Sequence, residues 1–500
     1  MTDSVCLVIT PSVFLLDERV FMSLGLLRVA AVLEAHGVPV EVLDLSGIEN
    51  YEEVARLHAQ TSDATYFGIT ATTPQMPAAV KIASAIRAAR PGAPLILGGP
   101  HVTLVNAAMK GERKAGLEGR AHTAMDVLRK SFDVLVAGDG EQAVFRALSR
   151  SAPPLVDADD PQSPLFLTSR ALTSLPLPAR HLVDVSSYRY SIEGHRALSL
   201  IAQLGCPFEC GFCGGRMSPS LRRVRTRTAE SIVAEMASLY EQYGTTGFMF
   251  YDDELNVNPG MVGLMRGIRA AQDRLGAEWR LRGFIKAELF TDEQAAEMYA
   301  AGFRWILTGF ESGSPRILTN INKRATRDDN TRCVDMATKA GLKVKALMSL
   351  GHPGESEETV RDTHDWLLAT APADFDVTLI TTYPGTPYYD LAVPHETMAD
   401  VWTYTYKKTG DRLHAYDVDY TRVAEYYKGD PNGGYRAYVF TDHLSGDELV
   451  RLRDWVERDV RATLDIPFNP GAPATRYEHS MGQTGPLPST ILRRAETVAR

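Results

Sequence analysis

Three of the chain's five cysteines fall on one stretch, Gly205-Cys206-Pro207-Phe208-Glu209-Cys210-Gly211-Phe212-Cys213-Gly214-Gly215, with spacing C-x3-C-x2-C. An odd thiol on a short loop makes a poor disulfide framework, and three thiolates are one ligand short of a closed tetrahedral zinc site. They suit a cubane iron–sulfur cluster with one iron left without protein ligation, because thiolate is the usual cluster ligand. The glycines let the loop wrap an inorganic core and Pro207 stiffens it. Two plainer readings stay open: a zinc site completed by a distant histidine, and reduced cysteines that merely pack.

Other chemistry-bearing residues stand at the ends of apolar runs. The run 247–251 delivers Asp252-Asp253-Glu254, 305–309 delivers Phe310-Glu311-Ser312-Gly313, and 343–350 delivers Gly351-His352-Pro353-Gly354-Glu355. Upstream, 64–69 leads into Thr70 and Thr72, 95–97 into Gly98-Gly99-Pro100-His101, and 134–137 into Gly138-Asp139-Gly140-Glu141. A carboxylate so placed can accept two hydroxyl hydrogen bonds. Glu355 reads instead as a helix N-terminal acid that complements the dipole.

The elements that must position these residues follow from periodicity. Over residues 1–150, short buried runs alternate with helical patterns, which predicts a doubly wound, Rossmann-like parallel sheet of an α/β fold. Such sheets bind ligands at the carboxyl ends of their strands. Gly98-Gly99 is not a G-x-G-x-x-G fingerprint, so a nicotinamide cofactor is not supported. The segment 104–130 reads as a helical insertion. Residues 151–196, punctuated by Pro153, Pro154, Pro161, Pro164, Pro176 and Pro178, read as a linker. Alternation resumes over 197–395 in six strand–helix units, which predicts a partial (β/α)6 barrel with its site at the C-terminal mouth. Residues 396–500 read as a small, mainly helical region: a tyrosine-rich cap, then a helix over 445–464 opened by a capping box at Ser445 and Glu448. From Ile466 an extended arm is expected.

A net charge of −9 offers no general basic face to nucleic acid. The run Arg222-Arg223-Val224-Arg225-Thr226-Arg227 reads as a solvated loop entering the next helix. Clustered cysteines fit a reducing compartment, the N-terminus lacks a basic signal region, and no run of 18 apolar residues occurs. A cytoplasmic protein without membrane spans is expected. Cys6 and Cys333 read as core residues.

The cysteine loop resembles that of the radical S-adenosylmethionine (SAM) superfamily, C-x3-C-x-aromatic-C, with Phe212 in the aromatic slot. The resemblance implies that Cys206, Cys210 and Cys213 are the catalytic ligands of a 4Fe-4S cluster whose open iron binds SAM and cleaves it to a 5′-deoxyadenosyl radical. It also implies SAM contacts from Phe212, from Asp252, Asp253 and Glu254 in place of a G-G-E motif, from Glu311 and Ser312, and from Gly351. The first 150 residues resemble the cobalamin-binding domain of cobalamin-dependent radical SAM enzymes through Leu24-Gly25-Leu26, Phe67-Gly68-Ile69-Thr70 and the two glycine turns. That resemblance implies cobalamin contacts at Thr70, Thr72, Gly98, Gly99, His101, Gly138, Gly140 and Glu141. The D-x-H-x-x-G loop that supplies a lower axial histidine in other cobalamin proteins is absent.

The implied activity is methyl transfer from SAM, by way of methylcobalamin, to an unactivated carbon of a small molecule or peptide. A flavodoxin- or ferredoxin-type electron donor is implied with it. The alternative is radical cyclisation, oxidation or rearrangement without methyl transfer. A tRNA methylthiotransferase would need a second cysteine triad, and a non-catalytic cobalamin carrier would leave the cysteine loop idle.

Overall fold

Runs of β-branched and aliphatic residues bounded by turns build the first layer. In the computed structural model, which describes residues 3–13, 15, 18–425 and 434–467, these are β1 (Val5–Ile9), β2 (Val40–Asp44), β3 (Tyr66–Thr70), β4 (Leu95–Gly98), β5 (Val134–Ala137) and β6 (Leu155–Asp157). All pair in parallel, in the order β2-β1-β3-β4-β5-β6. The order reverses beside β1 and β3, which opens a crevice at the strands' carboxyl ends.

Strand alternation divides the side chains between two cores. Val5, Leu7 and Ile9 face a core continuous with the second domain. Cys6, Val8, Phe67 and Ile69 face another, beneath helices Tyr51–Thr61, Met76–Ala89, Pro100–Lys114 and Arg120–Ser131. The last two helices occupy the expected insertion, and residues 101–109 of the first are all buried, so it is a crossover built into the sheet's packing. The three-residue β6 lies inside the proline-rich segment read as linker, too short to show a period.

Strands β7 (Ser191–Ile192) and β8 (His195–Leu200) form a hairpin, and β9 (Gln203–Leu204) pairs antiparallel with β10 (Arg225–Thr226). The barrel continues with β11 (Gly247–Phe250), β12 (Arg280–Phe284), β13 (Phe303–Glu311), β14 (Lys343–Leu350) and β15 (Asp374–Leu379). The order β15-β14-β13-β12-β11-β8-β7 contains six parallel strands, and its ends do not pair, so the barrel is open. Left-handed glycines 244, 276 and 302 terminate three of its helices.

Beyond the barrel, β16 (Val393–Pro394), β17 (Val401–Thr405), β18 (Arg412–Tyr416) and β19 (Val439–Thr441) form an antiparallel sheet in the tyrosine-rich stretch. Tyrosine and threonine favour strands, yet interleaved Asp, Lys and Gly hid the alternation. The helix Gly446–Leu464 follows, with the Ser445–Glu448 capping box in place and Leu449, Leu452, Val456 and Val460 buried. The expected arm, from residue 468 on, lies outside the described residues. Arg120 bridges the first domain to this region: its guanidinium carbon lies 3.7 Å from the Tyr389 ring centroid and 3.8 Å from that of Trp402. It also donates to the Tyr389 carbonyl at 2.6 Å.

The arginine run is solvated only in part, with Arg223 exposed. Arg225 and Arg227 are buried and paired with Asp139 and Glu235, and Arg222 donates to the carbonyls of Pro207 and Phe208. The short β10 turns alternate arginines inward, toward acids that the sequence does not place nearby. Among the described residues no helix is long and apolar enough to cross a membrane.

Candidate active site

The cysteine loop leaves β9 and is fixed mainly through its backbone. Cys206 N–H donates to the Leu221 carbonyl at 3.0 Å, Gly211 N–H to that of Ile321 at 2.8 Å, and Gly215 N–H to that of Gly385 at 3.0 Å. Gly205 has φ +87°, and a Cβ there would lie 2.2 Å from the Arg223 carbonyl oxygen, so only glycine fits. Glu209 pairs with Arg216, Arg222 and Arg324. Phe212 packs edge-on to His352 and against Ile317, Leu318 and Ile321. Burial pushes the Cys206 thiol up to about 11 and also raises Cys210, so metal binding must displace protons.

The three acids after β11 do different work. Asp252 is buried and accepts from the backbone N–H groups of Ala202 and Gln203 at 2.9 and 2.5 Å, bracing the approach to the cysteine loop. Asp253 accepts from the backbone of Gly205. Glu254 faces Lys323 and Lys286; burial pushes it up to about 7 against the pull of both ammonium groups.

Glu311 ends β13 at a register shift, with φ +66°. Its oxygens accept from Lys323 Nζ at 3.2 Å and Ser349 Oγ at 2.8 Å. Ser349 Oγ lies 2.8 Å from His352 Nε2, whose Nδ1 is 3.3 Å from the Tyr388 hydroxyl. Burial, helped by Lys323, pushes His352 down to about 3, so its imidazole is neutral. Gly351 has φ +93° and donates to Glu355. Ser312 is tied instead to Thr363 and the Ser314 backbone within packed structure. Lys286 Nζ pairs with Glu288 and lies 4.1 Å from the Phe208 ring centroid. Lys323, Ser349 and Tyr388 were missed from sequence: none belongs to a spaced motif, and the bend at Asn322 and Arg324 (φ +54° and +68°) presents Lys323.

A cavity of about 750 Å³ opens between the domains. Thr70, Thr72, Gly98, Gly99, Gly138, Gly140 and Glu141 line its sheet side, and Ile201, Leu204, Leu221, Tyr251 and Tyr383 its barrel side. An apolar floor with hydroxyls and glycine turns on its rim suits a large ring carrying amide arms. Burial and the neighbouring Asp139 raise Glu141 above its ordinary range, against Arg28. His101 does not line the cavity. Helix Pro100–Lys114 starts immediately after the Gly99 turn and carries its ring beneath the Thr73 turn, where Nδ1 lies 3.1 Å from Thr73 Oγ1. Burial pushes it down to about 3. The cavity and the cysteine loop are adjacent, since a Cβ on Gly214 would lie 2.9 Å from Tyr383 and 3.1 Å from Leu104, both of which line the cavity.

Comparison with known proteins agrees with this layout. Residues 200–367 match the radical SAM superfamily and residues 18–129 the B12 binding domain. A Pyrococcus horikoshii protein described as an uncharacterized methyltransferase is 25% identical over 385 residues, covering 74% of this chain and 78% of that one. The anaerobic magnesium-protoporphyrin IX monomethyl ester cyclase of Rubrivivax gelatinosus is 21% identical over 401 residues, 76% of this chain and 64% of that one. The fold is shared with the radical SAM methyltransferase TsrM of Kitasatospora setae, solved with cobalamin and a [4Fe-4S] cluster, at TM-score 0.64 and 20% identity, covering 94% and 92% of the two chains. With three cysteines at the mouth of an open barrel and a parallel-sheet domain packed against it, the chain carries a radical SAM domain and a B12 binding domain, the pair of domains found in cobalamin-dependent radical SAM enzymes.

Proposed function

We propose that this enzyme is a C-methyltransferase that moves a methyl group from SAM, through the corrin, to an unactivated carbon of a small molecule or peptide. The observation that carries the reading is the single layer of side chains, Tyr383 and Leu104, between the cysteine loop and the cavity. When bound, the cluster supplies an electron for reductive cleavage of SAM and the corrin supplies a methyl carrier.

The chain's own residues supply the rest. Cys206, Cys210 and Cys213 hold the cluster. Glu254 offers a carboxylate to the SAM ammonium, and Glu311, fixed by Lys323 and Ser349, offers oxygens to ribose hydroxyls. Lys286 and Lys323 give the pocket positive potential toward the SAM carboxylate. Thr70, Thr72 and the Gly98-Gly99 and Gly138 turns meet the corrin edge. Buried His352 and Tyr388 close the site to water without carrying charge. An external flavodoxin- or ferredoxin-type donor delivers the electrons.

Relatedness to the cyclase favours a second reading, radical cyclisation or oxidation without methyl transfer. Anoxically reconstituted enzyme, given methyl-labelled SAM, reductant and candidate metabolites, separates the two by mass spectrometry. Label in the product supports methyl transfer; 5′-deoxyadenosine with an unlabelled, altered product overturns it.

A further inference from the structure

The sheet face turned away from the cavity carries a second group of metal-ligating side chains. Val5, Leu7 and Ile9 line the cavity, so Cys6 projects to the opposite side. Cys6 stands opposite Glu41 in the parallel register of β1 and β2. Helix Tyr51–Thr61 brings His58 onto the pair.

His58 Nε2 lies 3.0 Å from a Glu41 carboxylate oxygen and 3.6 Å from Cys6 Sγ. The three ligand atoms fall within 4.8 Å of one another. One ring nitrogen thus faces sulfur and oxygen together, although it carries at most one hydrogen to give. Tetrahedral bonds to zinc, about 2.3 Å to sulfur and 2.0–2.1 Å to nitrogen and oxygen, separate nitrogen from sulfur by about 3.6 Å and from oxygen by about 3.3 Å. The observed spacings are close to those edges.

We propose that Cys6, Glu41 and His58 form a zinc site that ties helix Tyr51–Thr61 to the β1–β2 edge. The donor set of one thiolate, one imidazole and one carboxylate suits this borderline-soft ion. It also makes a neutral unit with a divalent cation, which suits a floor where Cys6 is wholly buried. Ser62 Oγ donates to Glu41 and orients the carboxylate, as outer partners of metal ligands do. The Glu41 side chain is 43% exposed, which leaves a path for the ion and for water as a fourth ligand. The site lies across the sheet from the cavity, which gives it a structural role.

The test uses the full chain with its iron–sulfur cluster reconstituted anoxically, exposed to Zn2+ and then desalted. About one retained zinc per chain is expected, with one sulfur neighbour and otherwise nitrogen and oxygen in zinc-edge X-ray absorption. Cys6→Ser and His58→Ala should each reduce retained zinc at least tenfold, with iron content unchanged. Glu41→Gln, on the exposed rim, gives the same readout should either variant fail to fold. Absence of retained zinc in the unaltered protein, retention that survives these substitutions, or three sulfur neighbours (the cysteine loop) would overturn the proposal.

Discussion

Lys323 Nζ donates to Glu311 Oε1 at 3.2 Å, and both side chains are nearly buried. The pair joins the end of β13 to the bend after helix Pro315–Asn320. It holds a carboxylate on a left-handed backbone, which a non-glycine residue adopts only when its surroundings over-determine it.

Removing one member of that pair leaves the other charge buried and unmatched. Lys323→Met should destabilise the fold by about 3–5 kcal/mol, read from denaturant unfolding. Lys323→Met combined with Glu311→Leu should recover part of that loss while SAM cleavage stays abolished. Recovery of cleavage in the double variant would contradict the role given to Glu311.

Cys206→Ala, Cys210→Ala and Cys213→Ala should each reduce cluster iron to near background and abolish 5′-deoxyadenosine formation. Cobalamin uptake should persist, because the cavity walls do not include these thiols. Iron analysis and the visible absorbance of bound corrin, measured on the same samples, check both halves.

Gly138 has φ +87°, and a Cβ there would lie 2.6 Å from the Ala158 carbonyl carbon. Gly138→Ala must therefore shift backbone at the cavity rim. Cobalamin affinity should fall at least tenfold in equilibrium titration, with iron content retained.

Glu355 accepts from Thr359 Oγ1 at 2.6 Å and from Gly351 N–H, and burial pushes it from 4.5 up to about 7. A raised carboxyl keeps its proton in the fold after the unfolded chain has lost it. Its contribution to stability is therefore full below pH 4.5 and is lost as pH rises toward 7. Glu355→Gln should match the unaltered protein near pH 4.5 and exceed it at pH 8 in urea unfolding. Parallel pH profiles for the two proteins would refute the assignment.

The cysteine loop was readable because its chemistry is local: three ligands, an aromatic and the glycines lie within one turn-rich stretch. The strand-end acids were readable as a group, since each follows an apolar run. Their separate tasks were not, because whether Asp252 or Glu254 faces the pocket depends on Gln203 and Lys323, distant in sequence. His101 misled for a related reason: spacing put it at a strand end, but helix Pro100–Lys114 turned its ring inward. Cys6 read as core and is buried there, while Glu41 and His58 reach it from a second strand and a helix that spacing does not connect. The C-terminal sheet was obscured by the charged and small residues that interrupt its alternation.

Arg120, held between Tyr389 and Trp402, makes the N-terminal layer and the C-terminal sheet share one aromatic clasp. Chimaeras that import a relative's C-terminal segment without its matching helix would separate the two halves of that clasp. The natural unit for exchanging that segment is therefore discontinuous, joining residues near 120 with those near 389 and 402. A graft that respects that boundary should fold where a simple tail swap does not.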